Sequence, residues 1–357
     1  MTVEVTGEPR ARGRGHGEHL REEIKEFYDE YMASCAAGSY IRGPRVRAGS
    51  SETDLIETTG AFLPVCRTYA PELIEEIEGI AEGCGLSFEK IFALNCFDEI
   101  DCHGPDLLAS DYRGCTAFAV TGAATVDGHA LIGQTSDAPA HYPFFFLRST
   151  SNTEPETLIM TCPGVLGVSG CNDRGLCQVW NTLKAADHRL GVPATFVVRK
   201  ALQARGLAEM ISNVLRSPRA NGLNFVVGDG LQAVNLELSA TRFHMVYCHD
   251  ILTHANHYEA AEFVDLDREV RPGLADSFLR SGRMRELLES RAGRIDPESL
   301  QETMRDHCTG SGAICRHLDS GTKLAETKAA VVYAPAEGRL WAAIGNPCQV
   351  KFVEYGL

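Results

Sequence analysis

Apolar residues in the first third of the chain recur at the three- and four-residue spacing of one helix face. The residues with this spacing are Leu20, Ile24, Phe27 and Tyr31, followed by Leu73, Ile77 and Ile80. The pattern predicts two amphipathic helices. Pro71 is typical of the first turn of the second helix, and Gly83 and Gly85 predict its end. Ser87 is a typical N-cap for a third helix over 88–100.

From residue 115 onward, short apolar runs separated by turn residues replace the helical spacing. Two pairs of runs, 115–122 with 129–137 and 222–228 with 232–239, flank Asp-Gly and predict β-hairpins. Further strands are predicted at 144–150, 176–183, 242–248, 328–335 and 339–345.

Three later spans return to helical spacing. They are 194–216, which Gly206 divides, 276–291, and 296–307, which opens with Asp296 as the cap and Pro297 in the first turn. Helices, then a hairpin-rich region, then more helices predict an α+β protein with antiparallel sheets.

Length and charge exclude several classes of protein. A chain of 357 residues with 44% hydrophobic content can form one large domain or two ordinary ones. Its formal charge of −14 argues against nucleic acid as a partner, because phosphate binding needs a basic surface. No run resembles a signal peptide or a transmembrane helix, so we expect a cytoplasmic protein that does not bind membranes.

The cysteine and histidine patterns do not indicate a metal site. Thirteen cysteines occur without one Cys-x-x-Cys pair, which gives little support to a zinc ribbon or a thioredoxin-like site. His254 and His257 lack the i,i+4 spacing of zinc peptidases. We therefore expect structural roles for His254, His257, His307 and His317, and we expect neither a metal nor a bound cofactor.

One cysteine has an unusual context, because Cys115 directly follows a glycine at the start of a predicted strand. Several short motifs surround it along the chain. They are Gly-x-x-His-Gly at 13–17, the span 70–100, GCT at 114–116, GQTSD at 133–137, GCNDRGL at 170–176, GVP at 191–193, HANH at 254–257, DSFLR at 276–280, and RDH at 305–307 with ICRH at 314–317. In this order they resemble the acyl-coenzyme A:6-aminopenicillanate acyltransferase family. Its members are cysteine N-terminal nucleophile (Ntn) hydrolases, related to bile salt and penicillin V hydrolases.

The resemblance implies a fold and a maturation step. The fold is a single Ntn hydrolase domain, a four-layer αββα sandwich of two antiparallel sheets. The maturation step is self-cleavage at Gly114–Cys115, which would leave a helical segment 1–114 and a catalytic chain 115–357 that stay associated. Glycine before the bond suits this chemistry, because it permits strained backbone angles and gives the thiol access to the preceding carbonyl.

The resemblance also assigns roles to individual residues. The freed α-amino group of Cys115 would be the base, since its reference pKa of about 7.7–8.0 leaves a useful fraction neutral near pH 7. Asp137 would hold the ammonium, Asn256 would donate to the oxyanion, and Arg280 would lower the thiol pKa. Asn172 matches a second asparagine of the reaction centre, although a turn role before Asp-x-Gly is equally open.

Three residues of GQTSD bear on the substrate. Gln134 occupies the position where bile salt hydrolases carry an arginine, which favours the acyltransferase branch. Thr135 and Ser136 replace the more usual Asn-Trp of that branch and alter the floor of the pocket. We expect a small-molecule amide or acyl donor, with a coenzyme A thioester only as a substrate. Hydrolysis and acyl transfer both stay open as the reaction. A homo-oligomer stays open as the state of assembly.

Two other readings remain. One is a Cys-His hydrolase that is never cleaved and uses His249-Asp250 or Asp306-His307 as base and orienting group. The other is a catalytically silent protein that keeps the fold to bind a small molecule. An intact active chain would favour the first, and an unreactive Cys115 thiol would favour the second.

Overall fold

The computed structural model describes residues 1–36, 51–102, 114–266, 275–308, 312–318 and 325–357. The helices of these ranges are α1 (Pro9–His19), α2 (Arg21–Ala36), α3 (Glu52–Gly60), α4 (Leu63–Tyr69), α5 (Pro71–Cys84), α6 (Phe88–Leu94), α7 (Phe97–Cys102), α8 (Ala194–Leu202), α9 (Leu207–Leu215), α10 (Ala275–Glu289) and α11 (Pro297–Thr303). None of them is both long and apolar enough to cross a membrane.

The strands of the same ranges form two sheets. They are β1 (Thr2–Thr6), β2 (Gly114–Val120), β3 (Leu131–Ala138), β4 (Phe145–Thr150), β5 (Thr157–Thr161), β6 (Ser169–Asn172), β7 (Leu176–Leu183), β8 (Gly222–Gly228), β9 (Ala233–Leu238), β10 (Phe243–Tyr247), β11 (Ile251–His254), β12 (Glu326–Ala334), β13 (Arg339–Ile344) and β14 (Val353–Gly356). The large sheet has the order β1-β4-β5-β6-β7-β8-β9-β10, and the small sheet has the order β11-β2-β3-β12-β13-β14.

Both sheets are antiparallel except at one edge. There β1 pairs in parallel with β4, with Thr2 opposite Phe146. The predicted N-terminal helical segment therefore also supplies a strand. Val3 and Val5 alternate with exposed residues along β1 and pack into the core, which is the period-two pattern of a half-buried strand.

The apolar clusters define four layers. The two sheets face each other across a core to which the small sheet contributes Ala117, Ile132 and Val331, and the large sheet Phe146, Met160 and Val226. Helices of the first 102 residues, with α8 and α9, cover the outer face of the large sheet. Helices α10 and α11 cover the outer face of the small sheet. The αββα sandwich expected from the sequence is confirmed.

Most predicted elements are present, with one division. The helix predicted over 88–100 is two helices, α6 and α7, separated at Asn95. The Asn95 side-chain amide donates to the carbonyls of Ile91 and Gly164 at 2.9 Å each, and its oxygen accepts from the Leu166 backbone N–H at 2.8 Å. A side chain that takes backbone bonds in this way competes with the helix ladder and ends it.

Helices α1 and α5 approach so closely that only glycine fits between them. A Cβ on Gly13 would lie 1.9 Å from the Glu76 carbonyl oxygen, and one on Gly79 would lie 2.1 Å from the Arg10 carbonyl oxygen. Gly83, expected to end α5, lies inside it and belongs to this contact, whereas Gly85 in the left-handed conformation, with φ of 78°, ends the helix.

Candidate functional site

Gly114 and Cys115 begin β2, which lies between β11 and β3 in the small sheet. The antiparallel register places Gly114 opposite Asp137 and Cys115 opposite Ser136. Because side chains alternate between the faces of a strand, Cys115 shares the face of Ala117, which packs in the core between the two sheets. The charged tripeptide 111–113 that precedes Gly114 lies outside the described residues.

The backbone of Cys115 is held on both sides by polar side chains. Its N–H donates to Asn256 Oδ1 at 2.9 Å, and its carbonyl accepts from Arg280 Nη1 at 2.7 Å. The same guanidinium reaches Thr116 Oγ1 and Asn256 Oδ1, each at 2.9 Å. Arg280 is buried on α10, so helix packing and these polar contacts fix the cation beside the cysteine.

Asn256 follows β11 and is fixed by two further hydrogen bonds. Its backbone N–H donates to Ser277 Oγ at 2.7 Å, and its Nδ2 donates to the Thr182 carbonyl at 3.1 Å. The backbone of Asn256 is therefore tied to the start of α10, and its side chain connects the end of β7 to Cys115. Its Oδ1 faces the cysteine nitrogen, and its amide nitrogen faces the large sheet.

Asp137 is buried near the end of β3. Its Oδ1 accepts from Thr327 Oγ1 at 2.7 Å, and its Oδ2 lies 3.5 Å from Arg316 Nη1. Burial raises the pKa of Asp137, and the nearby guanidiniums of Arg316 and Arg280 only partly oppose this. Oδ2 has no hydrogen-bond partner among the residues that the structure describes.

A second aspartate completes a charge cluster behind Gly114. Asp276 Oδ2 lies 3.4 Å from Arg316 Nη1 and 3.5 Å from Arg280 Nε. Two arginines and two aspartates are thus collected in one place, and their opposite charges compensate for burial. A Cβ on Gly114 would lie within 3.0 Å of Arg316, Asp137 and Arg280, so the cluster packs directly against the glycine.

A small cavity of about 50 Å³ opens on the other side of Cys115. Its polar lining consists of Ser136, Asp137, Thr182 and Asn256 beside the cysteine. The rest of its wall is mostly apolar and aromatic: Phe97, Ala138, Tyr142, Phe144, Cys162, Val168 and Trp180. The composition of this lining, a few polar groups against an apolar wall, is that of small-molecule sites, while the volume is well below their usual range of about 300–1,000 Å³.

The other three predicted site residues, Gln134, Thr135 and Asn172, do not line this cavity. Gln134 is buried, and its side-chain nitrogen donates to the Trp180 carbonyl. Thr135 lies opposite Thr116, on the face of β3 that turns away from Ser136. Asn172 donates to the carbonyls of Leu202 and Ala204 and accepts from two backbone N–H groups of the following turn. These four bonds favour the turn role of Asn172.

His254 and His257 support the loop that carries Asn256. His254 Nε2 lies 2.7 Å from Glu237 Oε1, and both residues are buried. Burial lowers the pKa of His254, but hydrogen bonding and attraction from Glu237 outweigh it and leave this pKa raised. Burial lowers the pKa of His257 to about 3, so this ring is neutral. His257 Nδ1 bonds Ser277 Oγ at 2.8 Å, on the same hydroxyl that holds Asn256.

The contacts of His249-Asp250 and of Asp306-His307 do not favour either pair as the base and orienting group of an uncleaved Cys-His hydrolase. Thr121 N–H donates to the Asp250 carbonyl at 2.8 Å, so His249 and Asp250 lie beyond the far end of β2, about 20 Å along the chain direction of the strand from Cys115. Both carboxylate oxygens of Asp306 accept from Arg283, and His307 Nε2 lies 3.1 Å from His317 Nε2.

Sequence reasoning missed the residues that complete the charge cluster. Arg316 lies in the ICRH motif, where the cysteine and the histidine are the residues with the more obvious chemistry. Asp276 opens the DSFLR motif, and Thr327 precedes a predicted strand. For Arg316 and Asp276, the motifs that contain them were the signal in the sequence. Their part in the cluster is established by their contacts in the folded chain.

Comparison with known proteins gives a match to one family and a distant likeness to several solved structures. The model of the family described as acyl-coenzyme A:6-aminopenicillanic acid acyl-transferase matches residues 125–349, which begins after Cys115. Among solved structures, penicillin V acylase from Agrobacterium tumefaciens is 10% identical with a TM-score of 0.43, over 64% of this chain and 83% of that chain. A mutant of conjugated bile acid hydrolase from Clostridium perfringens is 12% identical with a TM-score of 0.41, over 68% and 97%. A second variant of that hydrolase is 12% identical with a TM-score of 0.43, over the same shares.

Curated protein sequences give no match. The family match, in contrast, covers well over half of the 357 residues, including Asp137, Asn256, Arg280 and Arg316. On this evidence the chain belongs to the acyl-coenzyme A:6-aminopenicillanic acid acyl-transferase family.

Proposed function

We propose that this protein is a self-cleaving cysteine amidohydrolase or acyltransferase that acts on a small-molecule amide or acyl donor through Cys115. One observation carries the proposal. The Cys115 nitrogen lies 2.9 Å from Asn256 Oδ1, while the partly buried cysteine lines the cavity. An amine created at that nitrogen would already have an acceptor, beside a thiol that a small substrate can reach.

Self-cleavage would start with attack of Cys115 Sγ on the Gly114 carbonyl carbon. The C–S bond forms, the C–N bond breaks as the nitrogen takes up the thiol proton, and a thioester results. Water then adds to the thioester, releasing the Gly114 carboxylate and restoring the thiol. The charge cluster supports this assignment, because Arg316 and Arg280 lie against Gly114 and would stabilise the new carboxylate.

The same residues would serve the mature enzyme. The neutral α-amino group takes the thiol proton, and the thiolate attacks the substrate carbonyl. Asn256 Nδ2 carries two hydrogens, one of which bonds Thr182, and we assign the second to the oxyanion. Asp137 Oδ2, which lacks a hydrogen-bond partner in the described part of the chain, would orient the ammonium.

Protonation of the leaving nitrogen by the Cys115 ammonium would release the amine and leave an acyl thioester. Water would complete hydrolysis, and an acceptor amine would complete transfer. The apolar and aromatic wall of the cavity favours an apolar acyl group. A coenzyme A thioester enters the proposal only as a substrate that donates the acyl group.

Intact-mass spectrometry of the purified protein tests the proposal. We expect two associated chains, of which the larger begins Cys-Thr, and a single full-length chain for Cys115→Ala. Cys248→Ala is the matched control, because Cys248 is also partly buried yet lies outside the cavity. That variant should be cleaved like the wild type.

Activity needs a separate measurement. A panel of N-acyl amides, with and without acceptor amines, should give turnover that Cys115→Ala abolishes and His249→Ala retains. A fully active protein that stays unbroken at Gly114–Cys115 would overturn self-cleavage. Loss of turnover in His249→Ala together with an unbroken chain would favour the Cys-His hydrolase instead.

A further inference from the structure

A cluster of two cysteines and two histidines lies away from the cavity of Cys115. One ligand atom from each of His307, Cys315, His317 and Cys348 lies within 4.8 Å of all the others. His317 Nε2 is at the centre of the contacts, at 3.1 Å from His307 Nε2, 3.7 Å from Cys315 Sγ and 3.2 Å from Cys348 Sγ. Four donors from three segments of the chain therefore converge on one point.

The separations from His317 Nε2 are close to those expected around tetrahedral zinc. With Zn–S of about 2.3 Å and Zn–N of about 2.0–2.1 Å, neighbouring ligand atoms in a tetrahedron lie about 3.3–3.8 Å apart. The three distances from His317 Nε2 differ from these values by less than about half an ångström, and the other pairs of ligand atoms lie within 4.8 Å. Thiolate and imidazole donors without a carboxylate also select zinc over magnesium or calcium.

We propose that His307, Cys315, His317 and Cys348 bind one zinc ion in a structural Cys2His2 site. Four protein ligands fill a tetrahedron, so no position stays open for a substrate or a water, as it would in a catalytic zinc site. Cys315 is buried and His317 is partly buried, while His307 and Cys348 are exposed, which leaves the ion a path from solvent.

The segments that carry the ligands are also tied together by their own hydrogen bonds. The Cys315 N–H donates to the Asp306 carbonyl at 3.0 Å, which joins the residue before His307 to the segment of Cys315. Arg305 Nε donates to the Pro347 carbonyl at 2.9 Å, which joins the end of α11 to the residue before Cys348. Neither bond involves a ligand side chain, so the site is preorganised without the metal.

The site would position the charge cluster behind Gly114. Arg316 lies between two of the ligands, Cys315 and His317, and its guanidinium reaches Asp137 and Asp276. Asn346 Nδ2 donates to the Arg316 carbonyl at 2.8 Å, which links the segment before Cys348 to the same residue. Bound zinc would therefore fix the backbone of Arg316, and Arg316 would position Asp137 and Asp276. Neither the zinc nor Arg316 would touch the substrate.

Sequence spacing conceals this site. Only Cys315 and His317 are close along the chain, whereas His307 stands eight residues before Cys315 and Cys348 follows β12 and β13. The structural roles expected for His307 and His317 are thus replaced by a proposed ligand role, which the fold brings together from distant segments.

Zinc content of the protein tests the proposal directly. The protein is purified under reducing conditions without a histidine tag, equilibrated with Zn²⁺, freed of excess metal and measured by elemental mass spectrometry. We expect about one zinc per chain, with at least about tenfold weaker binding in Cys348→Ser and in His307→Ala. Cys308→Ser is the matched control, because Cys308 is an exposed cysteine next to His307 that is not in the cluster. It should keep the zinc.

Cobalt substitution supplies a second readout, since tetrahedral Co²⁺ with thiolate ligands has intense visible absorption that Cys348→Ser should weaken. Failure of reduced wild-type protein to bind zinc would overturn the site, as would full zinc content in both ligand variants. A Cys315–Cys348 disulfide in protein alkylated at lysis would overturn it as well. None of these outcomes depends on self-cleavage or on turnover, so the zinc site and the proposed function fail separately.

Discussion

Gly114 and Asp137 face each other across β2 and β3, and Asp137 Oδ2 would lie only 2.8 Å from a Cβ placed on Gly114. Arg316 Nη1 would lie at the same distance, and Arg280 Nη2 at 3.0 Å. The residue before the proposed nucleophile is therefore restricted by a buried cluster of charged side chains, and any larger residue must displace it.

Replacement of Gly114 by alanine should slow self-cleavage at least about tenfold. The added methyl must push aside two guanidiniums and a carboxylate, which misplaces the carbonyl that the thiol attacks, and small misplacements have large kinetic effects. The measurement is the cleaved fraction against time after synthesis, read from intact mass.

Gly282→Ala is the control for that experiment. Gly282 lies in α10, the helix that carries Arg280, and a Cβ there meets nothing within 4 Å. This variant should be cleaved normally and gain about 0.5–1 kcal/mol of stability. Normal cleavage of Gly114→Ala would contradict the role given to the cluster.

Steady-state kinetics should distinguish the roles of Asn256 and Asn172. Asn256→Ala should lower kcat by about 10²–10³ through loss of an oxyanion donor, with a smaller effect on KM. Asn172→Ala should leave kcat within a few-fold and instead lower the free energy of unfolding by about 1–3 kcal/mol, because it removes bonds to buried backbone groups. Steady-state kinetics on fully cleaved protein, with denaturant unfolding beside it, would make the distinction.

Equal losses of kcat in both variants would return Asn172 to the reaction centre. An unchanged kcat in Asn256→Ala would remove the oxyanion role from Asn256 and leave it only as the acceptor of the Cys115 N–H.

The buried pair of His254 and Glu237 should make stability depend on pH. Hydrogen bonding to Glu237 raises the pKa of His254 against the lowering effect of burial, so this contribution is full below about pH 6.5 and is lost as pH rises through the folded pKa. Burial raises the pKa of Glu237, but hydrogen bonding and attraction from His254 outweigh burial and leave this pKa lowered. The stability that Glu237 contributes is therefore full above about pH 4.3 and is lost at lower pH. The pair therefore stabilises the fold most between those values.

Denaturant unfolding of wild type and Glu237→Gln across pH 4 to 9 checks this. The difference in unfolding free energy should be largest near pH 5–6 and should shrink toward pH 9. Glu262→Gln is the control, because Glu262 pairs with His244 at an exposed position, where an ion pair contributes little. A difference that does not change with pH would show that the pair is not ionised.

Local patterns predicted much of the fold, because apolar spacing and turn residues report directly on nearby backbone. Cys115 and Asp137 stood in such patterns, one at the start of a strand and one at its neighbour's end. Arg316 did not, since its neighbours along the chain say nothing about its contact with Asp137 on β3. The proposed zinc ligands illustrate the same limit, because Cys348 joins the cluster only when β12 and β13 return the chain to it.

The strand β1 and the division at Asn95 were missed for a related reason. A five-residue strand at a sheet edge is stabilised by its parallel partner β4, and so short an alternation gives a weak signal alone. Asn95 interrupts its helix because its side chain finds Gly164 and Leu166 on a distant loop. In both cases the deciding contact lies far away in sequence.

The contact between α1 and α5 gives the last prediction. Gly79→Ala would place a methyl 2.1 Å from the Arg10 carbonyl oxygen, so the two helices must separate. Alanine favours a helix by up to about 1 kcal/mol over glycine, but overpacking typically costs about 1–3 kcal/mol, and we expect the upper end of this range between two rigid backbones. We expect a lower denaturant midpoint, corresponding to a loss of about 2 kcal/mol of unfolding free energy, measured in the Cys115→Ala background so that both proteins are single chains. Gly60→Ala, where a Cβ meets nothing within 4 Å, should not lower it. Equal midpoints for the two alanine variants would contradict the close approach.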